Sequence, residues 1–220
     1  MTICVEGLDG VGKSTLVKNL SEGLGIKVVS KPIDSLLLLD KESSHKVMEN
    51  IYNYSSNLIC TYYLMGNLSA LEDGKKEDAI LDRGFISTYY FSCDDNNRDY
   101  FDFYADHYGF PDLTILLYAS IEERVRRIQG RDSKDIDLGK KRIYVDGYDK
   151  IFEAIRRYNI PHIVIDTENL DERETSKRAL ELVREYMANE ENRQRILEEN
   201  SIDSLDCMKL ERRVKSEGDN

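Results

Sequence analysis

Gly7-Leu8-Asp9-Gly10-Val11-Gly12-Lys13-Ser14-Thr15 fits the spacing G-x-x-x-x-G-K-[ST] at every fixed position. Each residue type there suits the grip of a phosphate. Gly7, Gly10 and Gly12 let the backbone curl so that its N–H groups converge on phosphate oxygens. Lys13 brings a positive charge to the outer phosphates, Ser14 offers a hydroxyl to Mg²⁺, and Thr15 can bond a further phosphate oxygen. A helix starting at Lys13 aims its positive end at the same anion. The alternative is a plain glycine-rich turn that opens a helix.

Three further groups could do chemistry. Asp82, closing the apolar run Ala79-Ile80-Leu81, can hold a metal through water or orient a hydroxyl; it could equally cap a helix. The stretch 124–142 carries Arg124, Arg126, Arg127, Arg131, Lys134, Lys140, Lys141 and Arg142. That is an unexpected cluster in a chain of net charge −11, and it is either a phosphate grip or a solvated face paired with Glu122, Glu123, Asp132 and Asp135. Tyr62 and Tyr63 form a third group, whose plain reading is a helix packing face. His45, His107 and His162 show no partner pattern and read as structural.

The elements that must position these residues alternate between strand-like and helix-like runs. Thr2–Val5 is a short, β-branched run that suits a buried strand. Leu16, Val17, Leu20 and Leu24 have helical spacing over 13–24. Further strands are expected at 26–30, 79–82, 113–118 and 162–166, and helices at 41–70 (broken near 54–57), 121–129, 143–157 and 172–187. Strands spaced by helices imply an α/β fold, a five-stranded parallel sheet with helices on both faces. Right-handed crossovers then bring Gly7–Lys13, Lys31-Pro32 and Asp82-Arg83 to one sheet edge.

Composition narrows the class. The chain has 220 residues, enough for one α/β domain with a tail, placed at 1–188 and 189–220. The tail is highly charged and reads as partly helical or disordered. Ile196, Leu197, Ile202, Leu205, Met208, Leu210 and Val214 could form one weak amphipathic face within it. The acidic balance argues against nucleic acid as a partner. Cys4, Cys60, Cys93 and Cys207 lie in no metal-ligand spacing and suit a reducing, cytoplasmic compartment. A strand starting at residue 2 carries the expectation of no signal peptide. No apolar run reaches the ~20 residues of a membrane helix, so no membrane partner is expected.

Glu6-Gly7-Leu8-Asp9-Gly10-Val11-Gly12-Lys13-Ser14-Thr15 closely resembles the start of thymidylate kinases. Asp82-Arg83 with Ser87, the Pro111-Asp112-Leu113 strand, Arg127, Arg131 and Asp135 at the spacing of a lid segment (the lid itself at about 130–142), and Tyr148 are similar to that family in order. The resemblance covers about residues 1–187 and implies a P-loop nucleoside or nucleotide kinase fold. It implies transfer of the γ-phosphoryl of ATP, with Mg²⁺, to a nucleoside monophosphate, and a homodimer. On this resemblance Lys13 and the loop amides hold the donor and Ser14 ligates Mg²⁺. Asp9 faces the acceptor sugar and the metal's water shell, Arg83 grips the acceptor phosphate, Arg131 and Lys134 close over the transferring group, and Tyr62 and Tyr63 fall near where that family stacks an aromatic ring on the base.

The departures fall on the acceptor side. Ser30-Lys31-Pro32-Ile33-Asp34 replaces the family's Arg-Glu-Pro-Gly-Gly segment. Asn67 falls where a helix arginine is expected, Gly84 replaces a tyrosine, Ser92 a base-reading glutamine and Ile136 a lid arginine. A dianionic acceptor needs paired cations, so these losses leave two alternatives open beside a monophosphate kinase. One is a kinase of the same fold acting on a nucleoside or another small alcohol, with Asp82 as base. The other is a P-loop protein that binds ATP for regulation or assembly.

Overall fold

In the computed structural model, which describes residues 1–29, 34, 36–131 and 136–205, the β-branched runs become five strands: β1 (Thr2–Glu6), β2 (Lys27–Val29), β3 (Ala79–Asp82), β4 (Leu113–Tyr118) and β5 (His162–Asp166). They pair in parallel in the order β2-β3-β1-β4-β5. The central strand β1 is buried along its whole length, as a parallel strand covered on both faces must be. Its neighbours in register set the site. Val5 lies beside Asp82, and Glu6 lies beside Leu116.

The helices are α1 (Lys13–Leu24), α2 (Lys41–Ile51), α3 (Ser56–Lys76), α4 (Phe85–Ser92), α5 (Arg98–Tyr108), α6 (Ile121–Arg131), α7 (Tyr148–Tyr158), α8 (Glu172–Ala188) and α9 (Glu190–Glu199). Two 3₁₀ turns, Ile136–Gly139 and Lys141–Tyr144, join α6 to α7. Strand alternation divides the helices between two faces. Ile3, Val5 and Ile80 pack with Leu16, Val17 and Leu20 of α1. Cys4, Ala79 and Leu81 turn the other way, onto Ala70 of α3. The expected doubly covered parallel sheet is therefore the fold observed.

Several local expectations shift. The break expected near 54–57 falls at 52–55, between α2 and α3. The helix expected from Ile143 begins only at Tyr148. Residues 141–144 form a 3₁₀ turn instead, and Gly147 sits where an added Cβ would lie 2.5 Å from the Tyr90 ring. The pattern between Arg83 and Asp112 marks no element, yet the segment holds α4 and α5. Phe85, Ile86, Ser87, Thr88 and Tyr89 of α4 are all buried, so no polar face betrays its period.

The segment after α8 carries α9 and packs onto the domain. Asn189 caps α9 by accepting from Asn192 N–H. Ile196, Ile202 and Leu205 are buried in the main core. Val164 N–H of edge strand β5 donates to Asn200 O at 2.6 Å, so this segment covers an edge that would otherwise be open. Met208, Leu210 and Val214 lie outside the described residues. Among those described, no helix is long and apolar enough to cross a membrane.

Candidate active site

The sheet's carboxyl edge carries the glycine loop between β1 and α1. Gly7, Gly10 and Gly12 all have positive φ, at 139°, 90° and 97°. Packing adds a second demand. A Cβ on Gly7 would meet Leu117 O at 2.6 Å, and one on Gly10 would meet Arg124 O at 2.8 Å. Helix α1 has no side-chain N-cap and no acidic residue in its first turn. Its first N–H groups therefore remain available to an anion. Lys13 is buried and donates to Leu8 O at 2.7 Å. Burial, with help from Arg83, pushes its ammonium down to about 7, against the pull of Asp9, Glu6 and Asp82.

Strand β3 ends beside this loop and delivers Asp82 and Arg83. Arg83 has φ 70°, an uncommon conformation for a residue other than glycine. Its guanidinium donates to Gly7 O at 3.3 Å, Ser87 Oγ at 3.2 Å and Asp9 Oδ1 at 2.5 Å. Asp9 also meets Arg142 Nε, at 3.4 Å from Oδ2. Burial opposes ionisation of Asp9, but Arg83, Lys13 and Arg142 outweigh it and hold the carboxyl below its usual range.

Glu6 had no role assigned from sequence beyond its place in the motif. It is almost fully buried. Its Oε1 accepts from Gly84 N–H at 2.8 Å and Ser87 N–H at 3.1 Å, and its Oε2 accepts from Ser87 Oγ at 2.5 Å. The carboxylate therefore holds the first turn of α4, from which Ser87 supports Arg83. The signal was present: a carboxylate closing a strand that is otherwise fully apolar or small.

Two cavities open at this edge. One, of about 590 Å³, follows the glycine loop and is lined by Gly10–Leu16, Asp82, Arg127 and Arg131. The other, of about 660 Å³, is lined by Tyr52, Tyr62, Tyr63, Phe91, Asn67 and Ser87 among others. Asp82 and Arg83 belong to both. Tyr62 and Tyr63 meet edge to face, with centroids 5.2 Å apart. Tyr63 OH lies 3.0 Å from Tyr52 OH, and the buried Tyr62 OH has no hydrogen-bond partner. Asn67 donates to Thr88 Oγ1 at 3.0 Å, and Ser92 lines the same cavity. Gly84 packs where a Cβ would lie 3.0 Å from Cys4 Sγ.

The basic cluster separates into parts. Arg124 is buried and donates to Val145 O at 3.2 Å. Arg126 and Arg127 both pair with Glu123. Arg127 also donates to Thr167 Oγ1 at 2.9 Å and Val11 O at 3.4 Å, tying the loop after β5 to the glycine loop. Arg131 is exposed on the last turn of α6 and lines the first cavity. Lys134 and Asp135 lie outside the described residues. Tyr148 is buried and donates to Leu117 O at 2.9 Å, beneath Gly7. His45, His107 and His162 line neither cavity.

Ser14 is exposed on the loop and Asp82 stands across the first cavity, so two hard oxygen donors face it. Among the described residues no three His, Cys, Asp or Glu side chains cluster to hold a metal unaided. Such a pair suits Mg²⁺ brought in by a nucleotide's phosphates, which needs few protein ligands.

A phosphate loop on a parallel sheet, with a second, aromatic cavity abutting it, defines a P-loop nucleoside or nucleotide kinase. The profile described as "Deoxynucleoside kinase" matches residues 3–188, and the chain belongs to that family. It is 26% identical over 182 residues to a probable thymidylate kinase of Methanococcus maripaludis, covering 75% of this chain and 85% of that protein. It is 28% identical over 145 residues to a cytidylate kinase of Methanothermobacter thermautotrophicus, covering 66% and 77%. Among solved structures, deoxyadenosine kinase from M. mycoides, with the products dCMP and dCDP bound, superposes with a TM-score of 0.60 at 20% identity, covering 84% of this chain and 99% of that one. ATP-dependent phosphoryl transfer to a small nucleoside or nucleotide follows from membership of the family.

Proposed function

We propose that this enzyme transfers the γ-phosphoryl of ATP to a nucleoside monophosphate. The observation that carries the reading is the wall shared by the two cavities: Asp82 and Arg83 line both. A donor phosphate on the glycine loop and an acceptor in the aromatic cavity would meet at a guanidinium. Phosphoryl transfer asks mainly for alignment and positive charge at that point.

The roles follow from position. The amides of Gly7–Thr15 and the Lys13 ammonium hold the donor phosphates, and Arg127 keeps the loop after β5 against them. Arg131, with Lys134, supplies charge over the transferring group. Ser14 and Asp82 would hold Mg²⁺, which neutralises phosphate charge when bound. Tyr62 and Tyr63 flank the base, Ser87 fixes Arg83, and Asp9 orients the cations that face the acceptor.

A second reading, a nucleoside as acceptor, is favoured by the family profile and by Asp82 at the junction, where a carboxylate can take the proton of a hydroxyl. The deciding experiment is ADP release from ATP and Mg²⁺, screened against nucleosides and their monophosphates. Stimulation by one monophosphate is expected. Stimulation only by nucleosides would replace the first reading by the second.

A further inference from the structure

By the resemblance to thymidylate kinases a helix arginine is expected at Asn67, which donates to Thr88 instead. The fold brings another cation beside Arg83 from a different element. Arg142, on the 3₁₀ turn Lys141–Tyr144, reaches Asp9 Oδ2 through Nε at 3.4 Å. Arg83 holds the other oxygen of that carboxylate. Both guanidiniums stand over the Phe91 ring, 5.2 Å from the centroid for Arg142 and 5.8 Å for Arg83. Phe91 lines the acceptor cavity.

We propose that Arg142 is the second cation for the acceptor's phosphate, and that Arg124 is a positioning residue that keeps it there. This rests on the monophosphate reading above. One carboxylate, that of Asp9, engages both guanidiniums. Two guanidiniums that share one carboxylate can also share one phosphate, since the planar donors suit either anion.

The turn that carries Arg142 is pinned on both sides. Ile143 is buried. Val145 O accepts from the buried Arg124, whose backbone in turn packs on Gly10 of the phosphate loop. Gly147 lies flat against Tyr90, with no room for a Cβ. The backbone of the turn is therefore held in place, while the exposed Arg142 side chain is directed by Asp9 and the Phe91 ring. Arg124 Nε makes no hydrogen bond although buried. Such a group is costly in an interior, and a positioning role gives a reason for it.

The test is steady-state kinetics of the full-length enzyme with its preferred monophosphate and with the matching nucleoside. Arg142→Ala should raise the KM for the monophosphate about tenfold or more, the loss expected for one charged hydrogen bond. The KM for ATP should rise far less than that for the monophosphate, and Arg142→Lys should recover part of the loss. Arg124→Met should shift the monophosphate KM in the same direction, and Arg124→Lys should restore it by donating to Val145 O. Monophosphate turnover with an unchanged KM in Arg142→Ala would overturn the inference alone. A wild-type enzyme that phosphorylates nucleosides only would overturn the acceptor reading, whatever Arg142 does.

Discussion

Arg83 and Asp9 meet at 2.5 Å across 74 residues of sequence, and this contact joins the loop after β3 to the phosphate loop. It fixes the wall common to both cavities before any ligand arrives. Such preorganisation matters where charge builds up in a transition state, because donors already aimed need no rearrangement.

The same contact sets a pH dependence. Asp9 titrates below its usual value because three cations outweigh its burial. A carboxyl with a lowered folded pKa contributes stability above the unfolded value near ~4, and that contribution is lost as pH falls through the folded value. Asp9→Asn should therefore flatten the acid limb of stability against pH, measured by urea unfolding. An acid limb as steep as that of the wild type would remove Asp9 from the ion network.

Lys13 makes the opposite case. Its ammonium is buried and titrates at about 7, well below an exposed lysine. Between pH 7 and the unfolded value the unfolded chain carries the extra proton, so the charged form weighs against the fold. Lys13→Met should leave stability equal or higher while abolishing phosphotransfer. ATP binding to the wild type near pH 8 should take up a proton, read as a difference in calorimetric heat between two buffers. The variant should show no uptake. Uptake that persists in Lys13→Met would place the titration elsewhere.

Gly10 is required by both backbone and space. Its φ is 90°, and a Cβ would press on Arg124 O at 2.8 Å. Gly10→Ala should cost roughly 1–3 kcal/mol and should weaken use of the acceptor through Arg124. Gly130 in α6 has nothing within 4 Å of a built Cβ. Gly130→Ala should therefore gain roughly 0.5–1 kcal/mol as an ordinary helix substitution. Thermal melts of the two variants compare the sites directly, and equal melting temperatures would show that the close approach at Gly10 relaxes without cost.

Much of this was legible because it is local. The glycine spacing, the β-branched runs and the amphipathic period of α1 are written in neighbouring residues, and their bounds are close to those observed. What escaped depends on contacts distant in sequence. Glu6 is legible as a motif letter but not as the anchor of α4, since its partners Gly84 and Ser87 lie far along the chain. Arg142 looked like one charge among several in a basic stretch. Only folding separates it from Arg124, which is buried, and from Arg126 and Arg127, which Glu123 holds. Helix α4 hides its period because so little of it faces water.

The C-terminal segment gives the last prediction. His162 on β5 has Nδ1 at 2.8 Å from Ile160 O and accepts the Ile202 N–H through Nε2 at 3.1 Å. Both contacts are made by the neutral ring, with its proton on Nδ1. Burial lowers its pKa against the Ile160 contact and the nearby Asp203, with Arg156 also lowering it. The unfolded chain therefore takes up the proton first as pH falls below about 6.5, and stability drops from there to the folded value. His162→Phe should remove that slope. Truncation after Ala188 should do more. It deletes the buried Ile196, Ile202 and Leu205, each worth roughly 1.5–3 kcal/mol, and bares the β5 edge. A loss on the order of 5 kcal/mol is expected by urea unfolding, with faster amide exchange at Val164. Such a loss is comparable to the whole stability of many domains, so the truncated chain should express poorly or aggregate. A truncated enzyme as stable as the full chain would show that this segment rests on the sheet without supporting it.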